Sequence, residues 1–159
     1  MTPEQQLASF LAKYEPEVSE IAEAARSILR HRYPHALELI YDNYNALVIG
    51  FGPTARASDA IFSIALYPKW VSMFFLQAKA LKDPAHLLQG SGTVARHIRL
   101  ASASMLDEPA VLDLMHQAVA KAAVPFDSAV SHQLIIKSVS AKQRERKPKS
   151  AIKAIPKAS

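Results

Sequence analysis

The residues that could do chemistry fall into a few groups. His31 and His35 are spaced as two zinc ligands on one helical turn would be. Pro34 lies between them and breaks a helix, so a shared face is not expected, and no Cys or HExxH partner supports the pair. Gly90-Ser91-Gly92 has the small residues of a phosphate cradle or a serine elbow. Neither GxxxxGK(S/T) nor GxSxG is complete, and the segment leads into a predicted strand, so it reads as a hairpin turn. Glu15, Glu17, Glu20 and Glu23 gather in a ridge of oxygen ligands that suits a weak cation site, and equally complements a helix N-terminus. Tyr41, Tyr44, Tyr67 and Trp70 lie in or near predicted turns, with Arg96 and His97 on a predicted strand. Aromatic rings with a few polar groups can line a ligand pocket, and these six are the candidate ligand-binding residues; they can equally edge a core. His97 would need Glu38 or Asp42 beside it to work as an acid–base pair, and nothing in the spacing brings them together. No catalytic residue, resident cofactor or metal is assigned.

The elements that must position these side chains follow from pattern. Thr2-Pro3-Glu4-Gln5 is a helix start with a capping box, and Leu7, Phe10, Leu11 and Tyr14 form the apolar stripe behind it. Pro16 opens a second helix with Val18, Ile21, Ala22, Ala25, Ile28 and Leu29 on one face, and Pro34 stops it. The period then changes. Ala36–Asp42, Ala46–Phe51, Asp59–Tyr67 and Val71–Gln77 are short runs rich in β-branched and aromatic residues, separated by turn-like groups, and Thr93–Leu100 is a fifth. Both faces of the third run are apolar, which predicts a central strand covered on both sides. Asp107 is placed to cap a third helix with Leu112, Met115, Val119 and Ala122 as its stripe. Gln133–Val139 is either a last short strand or an ordered arm. Two helices, about five antiparallel strands and a helix make an α+β fold rather than a βαβ alternation.

Composition bounds the rest. The chain has 159 residues, 50% apolar and 21% charged, which suits one globular domain with a tail. No apolar run nears the roughly 18 residues that span a bilayer, and Met1–Gln6 has no signal-peptide character. Cysteine is absent, which excludes disulfides and thiolate metal sites. A cytoplasmic location is the expectation. The charge is uneven. Residues 141–159 hold seven of the 19 Lys and Arg against Glu145, whereas residues 1–140 hold twelve against thirteen acids. The domain is therefore expected over 1–140 and a basic, disordered tail over 141–159. Lys142, Arg144, Arg146, Lys147 and Lys149 could give that tail a sequence-independent contact with polyanions.

At Tyr41-Asp42-Asn43-Tyr44-Asn45-Ala46-Leu47-Val48, Ile61-Phe62-Ser63-Ile64-Ala65-Leu66-Tyr67-Pro68, Leu88-Gln89-Gly90-Ser91-Gly92 and Arg96-His97-Ile98-Arg99-Leu100, the chain resembles the YdhG-like family, a bacterial domain of unknown function. The resemblance runs from about Glu20 to about Val124. It implies an antiparallel sheet flanked by helices. A member described as a frataxin-like iron chaperone implies iron handling by acidic surface residues, for which Glu15–Glu23 is the dense group. The leading expectation is a non-enzymatic domain that binds a small ligand or a protein partner. The alternatives are iron handling through Glu15, Glu17, Glu20 and Glu23, and polyanion docking through the tail.

Overall fold

A computed structural model describes residues 1–149. The capping box forms as expected: the Thr2 hydroxyl accepts from the Gln5 N–H at 3.1 Å, and the Gln5 side chain accepts from the Thr2 N–H at 2.9 Å. Helix α1 (Pro3–Leu11) follows and buries Leu7, Phe10 and Leu11. Helix α2 (Pro16–Arg32) begins at its proline, whose missing N–H costs nothing in a first turn, and buries Val18, Ala22, Ala25 and Leu29.

Five short strands come next: β1 (Leu37–Asp42), β2 (Leu47–Gly52), β3 (Phe62–Leu66), β4 (Val71–Phe75) and β5 (Arg96–Leu100). They pair antiparallel in sequence order. Asp59 leaves the third predicted strand and ends a single 3-10 turn, Ala57–Asp59. Helix α3 (Pro109–Ala120) then carries the chain back across the sheet, and β6 (Leu134–Val139) lies beside β1. This sixth strand is parallel to β1, so the sheet is mixed, in the order β5-β4-β3-β2-β1-β6. The crossover through α3 is what a parallel pairing requires.

Two local expectations for α3 shift. Glu108, not Asp107, is its N-cap, and Asp107 closes a 3-10 turn and bonds the Arg32 guanidinium at 2.6 Å. The buried stripe is Val111, Leu114, Met115 and Ala118, one position away from most of the expected one. Leu112, Val119 and Ala122 are half-buried on its flank.

Alternation along the strands gives the sheet two unlike faces. Ile40, Ile49, Ile64, Met73 and Ile98 join the buried residues of all three helices in one core. The opposite face has no acidic residue on any strand. In cross-strand register it reads Arg99, Ser72, Ala65, Val48 and Tyr41, and one rung further His97, Phe74, Ser63, Gly50 and Leu39. β3 is central as expected. Its helical cover lies on one face only, and its Ser63 and Ala65 are buried on the other. No helix among the described residues is long and apolar enough to cross a membrane.

A loose appendage from Ala141 is the sequence expectation, and the structure places part of that segment on the body. Ser140 donates its N–H to the Asp42 carbonyl and Arg144 to the Tyr44 carbonyl. Arg146 is 5% exposed. Its guanidinium bonds the Asp42 carboxylate at 2.9 Å and the Asn43 carbonyl, and lies 5.6 Å from the Tyr14 ring. A buried carboxylate at the end of β1 needs a cation, and the passing chain supplies it. Lys153, Lys157 and the rest of 150–159, where the expected disorder would also fall, lie outside the described residues.

Candidate ligand-binding surface

The Asp42 end of the sheet gathers two hairpin turns and the returning chain. In the β3–β4 turn, Pro68 and Lys69 form the tip and Tyr67 donates its N–H to the Trp70 carbonyl at 2.9 Å. Proline presets the backbone angle that such a tight turn needs. The geometry throws the two flanking side chains onto the face away from the helices. There Tyr67 and Trp70 stack with centroids 4.9 Å apart and planes 22° apart. Arg99 extends the stack. It alternates with the buried Ile98 and Leu100, so it points to the same outer face, and it pairs with Ser72, two residues along β4 from Trp70. Its guanidinium carbon lies 4.4 Å from the Trp70 centroid. A diagonal neighbour at this spacing is within reach of a long side chain. The result is a three-strand ladder of planar groups: phenol, indole, guanidinium. Burial raises the Tyr67 hydroxyl above its ordinary pKa, which keeps the phenol neutral.

A second aromatic–arginine pair stands in the β1–β2 turn. Tyr44 is 47% exposed there, with the Arg144 guanidinium 5.6 Å from its ring. Between the two pairs runs an open groove of about 710 Å³. Pro68, Lys69 and Trp70 form one wall, and Arg144, Lys147 and Lys149 belong to the other, with Glu145 as the one acid. Among the described residues, Lys69, Arg99, Arg144, Lys147 and Lys149 make no ion pair. The arginines that the fold uses do: Arg26 meets Glu4, Glu23 and Glu38, Arg32 meets Asp107, and Arg146 meets Asp42.

The six residues singled out in the sequence therefore divide. Tyr67 and Trp70 come together, and Tyr44 joins their end of the sheet through Arg144. Tyr41 lies on the same outer face but is half-buried in β1. Its ring reaches to 4.0 Å from where a Cβ on Gly50 would stand, and its hydroxyl is buried without a partner. Arg96 and His97 leave the group. They sit at the far end of β5, opposite Phe75 and Phe74. Arg96 donates to the Gly92 carbonyl at 2.6 Å and lines a separate hollow with Asp83 and His86. His97 packs 5.0 Å from the Phe74 ring and exchanges backbone bonds with Gln89, which closes the turn at Gly90. Gly90 has φ +109°, a backbone that favours glycine. Arg99 is the functional candidate missed in the sequence. Its outward position was legible from alternation with Ile98 and Leu100, but its indole partner sits on a diagonal that depends on strand register.

The remaining groups take structural positions. Glu38 is fully buried and is held by Arg26, by Arg30 at 3.2 Å and by His132 at 2.8 Å. Neither Glu38 nor Asp42 can meet His97, because β2, β3 and β4 separate β1 from β5, roughly 19 Å at the usual strand spacing. His35 bonds the Val130 carbonyl at 3.0 Å instead of sharing a metal with His31. Of the acidic ridge, Glu15 is the N-cap of α2 and Glu23 pairs with Arg26 at 3.5 Å. Among the described residues, no three His, Asp or Glu side chains converge to hold a metal ion.

No family model matches the chain, and no curated protein or solved structure matches it.

Proposed function

We propose that the chain is a cytoplasmic, non-enzymatic binding domain that takes a planar anionic ligand at the Tyr67–Trp70–Arg99 ladder. The observation that carries the proposal is the coincidence of a stacked aromatic ladder with cations that have no structural duty, on the rim of an open groove. Tyr67 and Arg99 already cover the indole, so a further planar group extends the ladder at the exposed Arg99 guanidinium. The buried carboxylates Glu38 and Asp42 are committed to arginines, so the strong ionisable pairs stabilise the fold away from the groove. Kinship with the YdhG-like domains belongs to the same proposal and rests on the sequence patterns alone. Iron handling through Glu15, Glu17, Glu20 and Glu23 has no such converging observation behind it.

Trp70 is the only tryptophan of the chain, so the site reports on itself. Titration with adenosine monophosphate at low salt should quench or shift the tryptophan emission. Arg99→Gln should weaken that response about tenfold, the loss expected for one charge-assisted planar contact. An emission unmoved at millimolar ligand, or a response that Arg99→Gln leaves intact, would remove the proposal.

A further inference from the structure

The groove, at about 710 Å³, has room for more than one planar group, and its lining carries four cations against one acid. From this we infer that the ligand is a single-stranded nucleic acid, laid along the Asp42 end of the sheet with its bases on the aromatic ladder and its phosphates on the cationic wall. The inference rests on the binding proposal above and adds the ligand's class.

Two observations combine. First, planar groups stand in two separate arginine–aromatic units, Arg99 as the outer end of the Tyr67–Trp70 stack and Arg144 by Tyr44, and Trp70 and Arg144, one from each unit, line the same groove. Successive bases of an unpaired strand stack on such units, whereas the bases of a duplex are already stacked on each other. Second, four exposed cations, Lys69, Arg144, Lys147 and Lys149, line the groove against Glu145 alone, and Arg99 is exposed on the adjoining ladder. Each cation that neutralises a phosphate releases counterions from the strand, which is the main source of affinity for nucleic acids. The outer face of β1 to β5 carries no acidic residue to oppose that charge. A lipid surface fits less well. Among the described residues, none of the exposed large apolar side chains, Met1, Tyr44, Val94 and Val139, lines the groove itself.

The test uses the full chain and fluorescein-labelled oligothymidylate and oligouridylate of about ten nucleotides, a length suited to one small binding face. Anisotropy and Trp70 quenching should report the same binding curve, at least about tenfold tighter than for adenosine monophosphate, since several phosphates are engaged at once. Affinity should fall with salt, with a log–log slope of about 0.7 per phosphate contacted. Lys147→Gln with Lys149→Gln should lower that slope by about 1.4 and leave the unfolding midpoint unchanged. Trp70→Leu should weaken binding at least about tenfold. If that variant unfolds, Arg99→Gln, at an exposed position, carries the same expectation. Binding of duplex or of inorganic polyphosphate as tight as that of the single strand would overturn the inference, because stacking would then contribute nothing. So would quenching of Trp70 by vesicles containing phosphatidylglycerol but not by either oligonucleotide. If adenosine monophosphate binds and the oligonucleotides bind no tighter, the nucleic-acid inference fails and the planar-anion proposal stands. If none of them moves Trp70, both fail.

Discussion

Tyr14 shows how much structure can depend on one hydroxyl. It is 3% exposed, donates to the Leu66 carbonyl at 3.1 Å and accepts from the Leu47 N–H at 3.0 Å, so it ties α1's stripe to the last register pair of β2 and β3. Tyr14→Phe keeps the ring but orphans a buried donor and a buried acceptor, and should cost about 1–3 kcal/mol in urea denaturation. Burial drives the hydroxyl's pKa from 10.0 up to about 12, against the lowering effects of Arg146 and of the Leu47 bond. The folded value lies above the unfolded one. The stability held by the neutral phenol is therefore complete below pH 10.0 and lost as pH rises through about 12. Unfolding free energy should fall by about 3 kcal/mol across that window. In Tyr14→Phe the fall should be shallower, with the residue supplied by Tyr33, Tyr41 and Tyr67, whose hydroxyls burial also raises. An identical alkaline slope in the two proteins would show that Tyr14 is not the group responsible. The apolar stripe in which Tyr14 sits was readable from the sequence. Its two hydrogen-bond partners were not, because they lie on strands some distance along the chain.

At the level of elements, strand β2 carries two glycines with different duties. A Cβ on Gly52 would stand 2.9 Å from the Ala60 Cα, where the chain returns through the 3-10 turn into β3. A Cβ on Gly50 would meet nothing nearer than the Leu39 carbonyl oxygen at 3.5 Å, an ordinary contact. Gly52→Ala should therefore lower stability by about 1–3 kcal/mol through overpacking against backbone. Gly50→Ala should change it by less than about 1 kcal/mol, and the urea slope should be the same in both. Equal midpoints for the two variants would refute the close-approach account. The five antiparallel strands were legible because alternation and turn residues are local signals. The buried stripe of α3 was misplaced by one position because Val111, Leu112, Leu114 and Met115 are all apolar, so two neighbouring stripes fit the pattern, and the choice falls to what the helix packs against.

For the whole molecule the question is where the folded unit stops. Arg146 belongs to it, since its guanidinium neutralises Asp42 in the interior and caps the Asn43 turn. Truncation after Arg146 should leave the urea midpoint within about 0.5 kcal/mol of the full chain. Truncation after Ser140 leaves Asp42 buried with Lys13, itself half-exposed, at 3.6 Å as its remaining cation, and should cost about 3 kcal/mol. If the two truncations unfold alike, the docking of 143–146 contributes nothing to stability. The same segment brings Arg144, Lys147 and Lys149 to the groove, so one stretch of chain both completes the core electrostatics and supplies the wall of the proposed binding surface. Positive charge that looks like an appendage in the sequence is thus divided by tertiary structure into a buried structural cation, Arg146, and an exposed group of cations on the proposed binding surface.

What the sequence by itself determined is what depends on neighbours along the chain: the capped first helix, the proline that opens the second, the strand-rich middle, the glycine turn and the outward alternation of Arg99. These signals act over one or two turns of helix or one hairpin, and a local pattern is enough to specify them. The tertiary structure alone decided the rest. It set β6 parallel against β1, gave Glu38 to His132 and Asp42 to Arg146, separated Arg96 and His97 from the aromatic group, and laid Arg99 across Trp70. Each of these depends on sheet register or on partners brought together by the crossover, about a hundred residues apart for the buried pairs. Distances of that kind are set by how the core packs, and no spacing in a linear sequence encodes them.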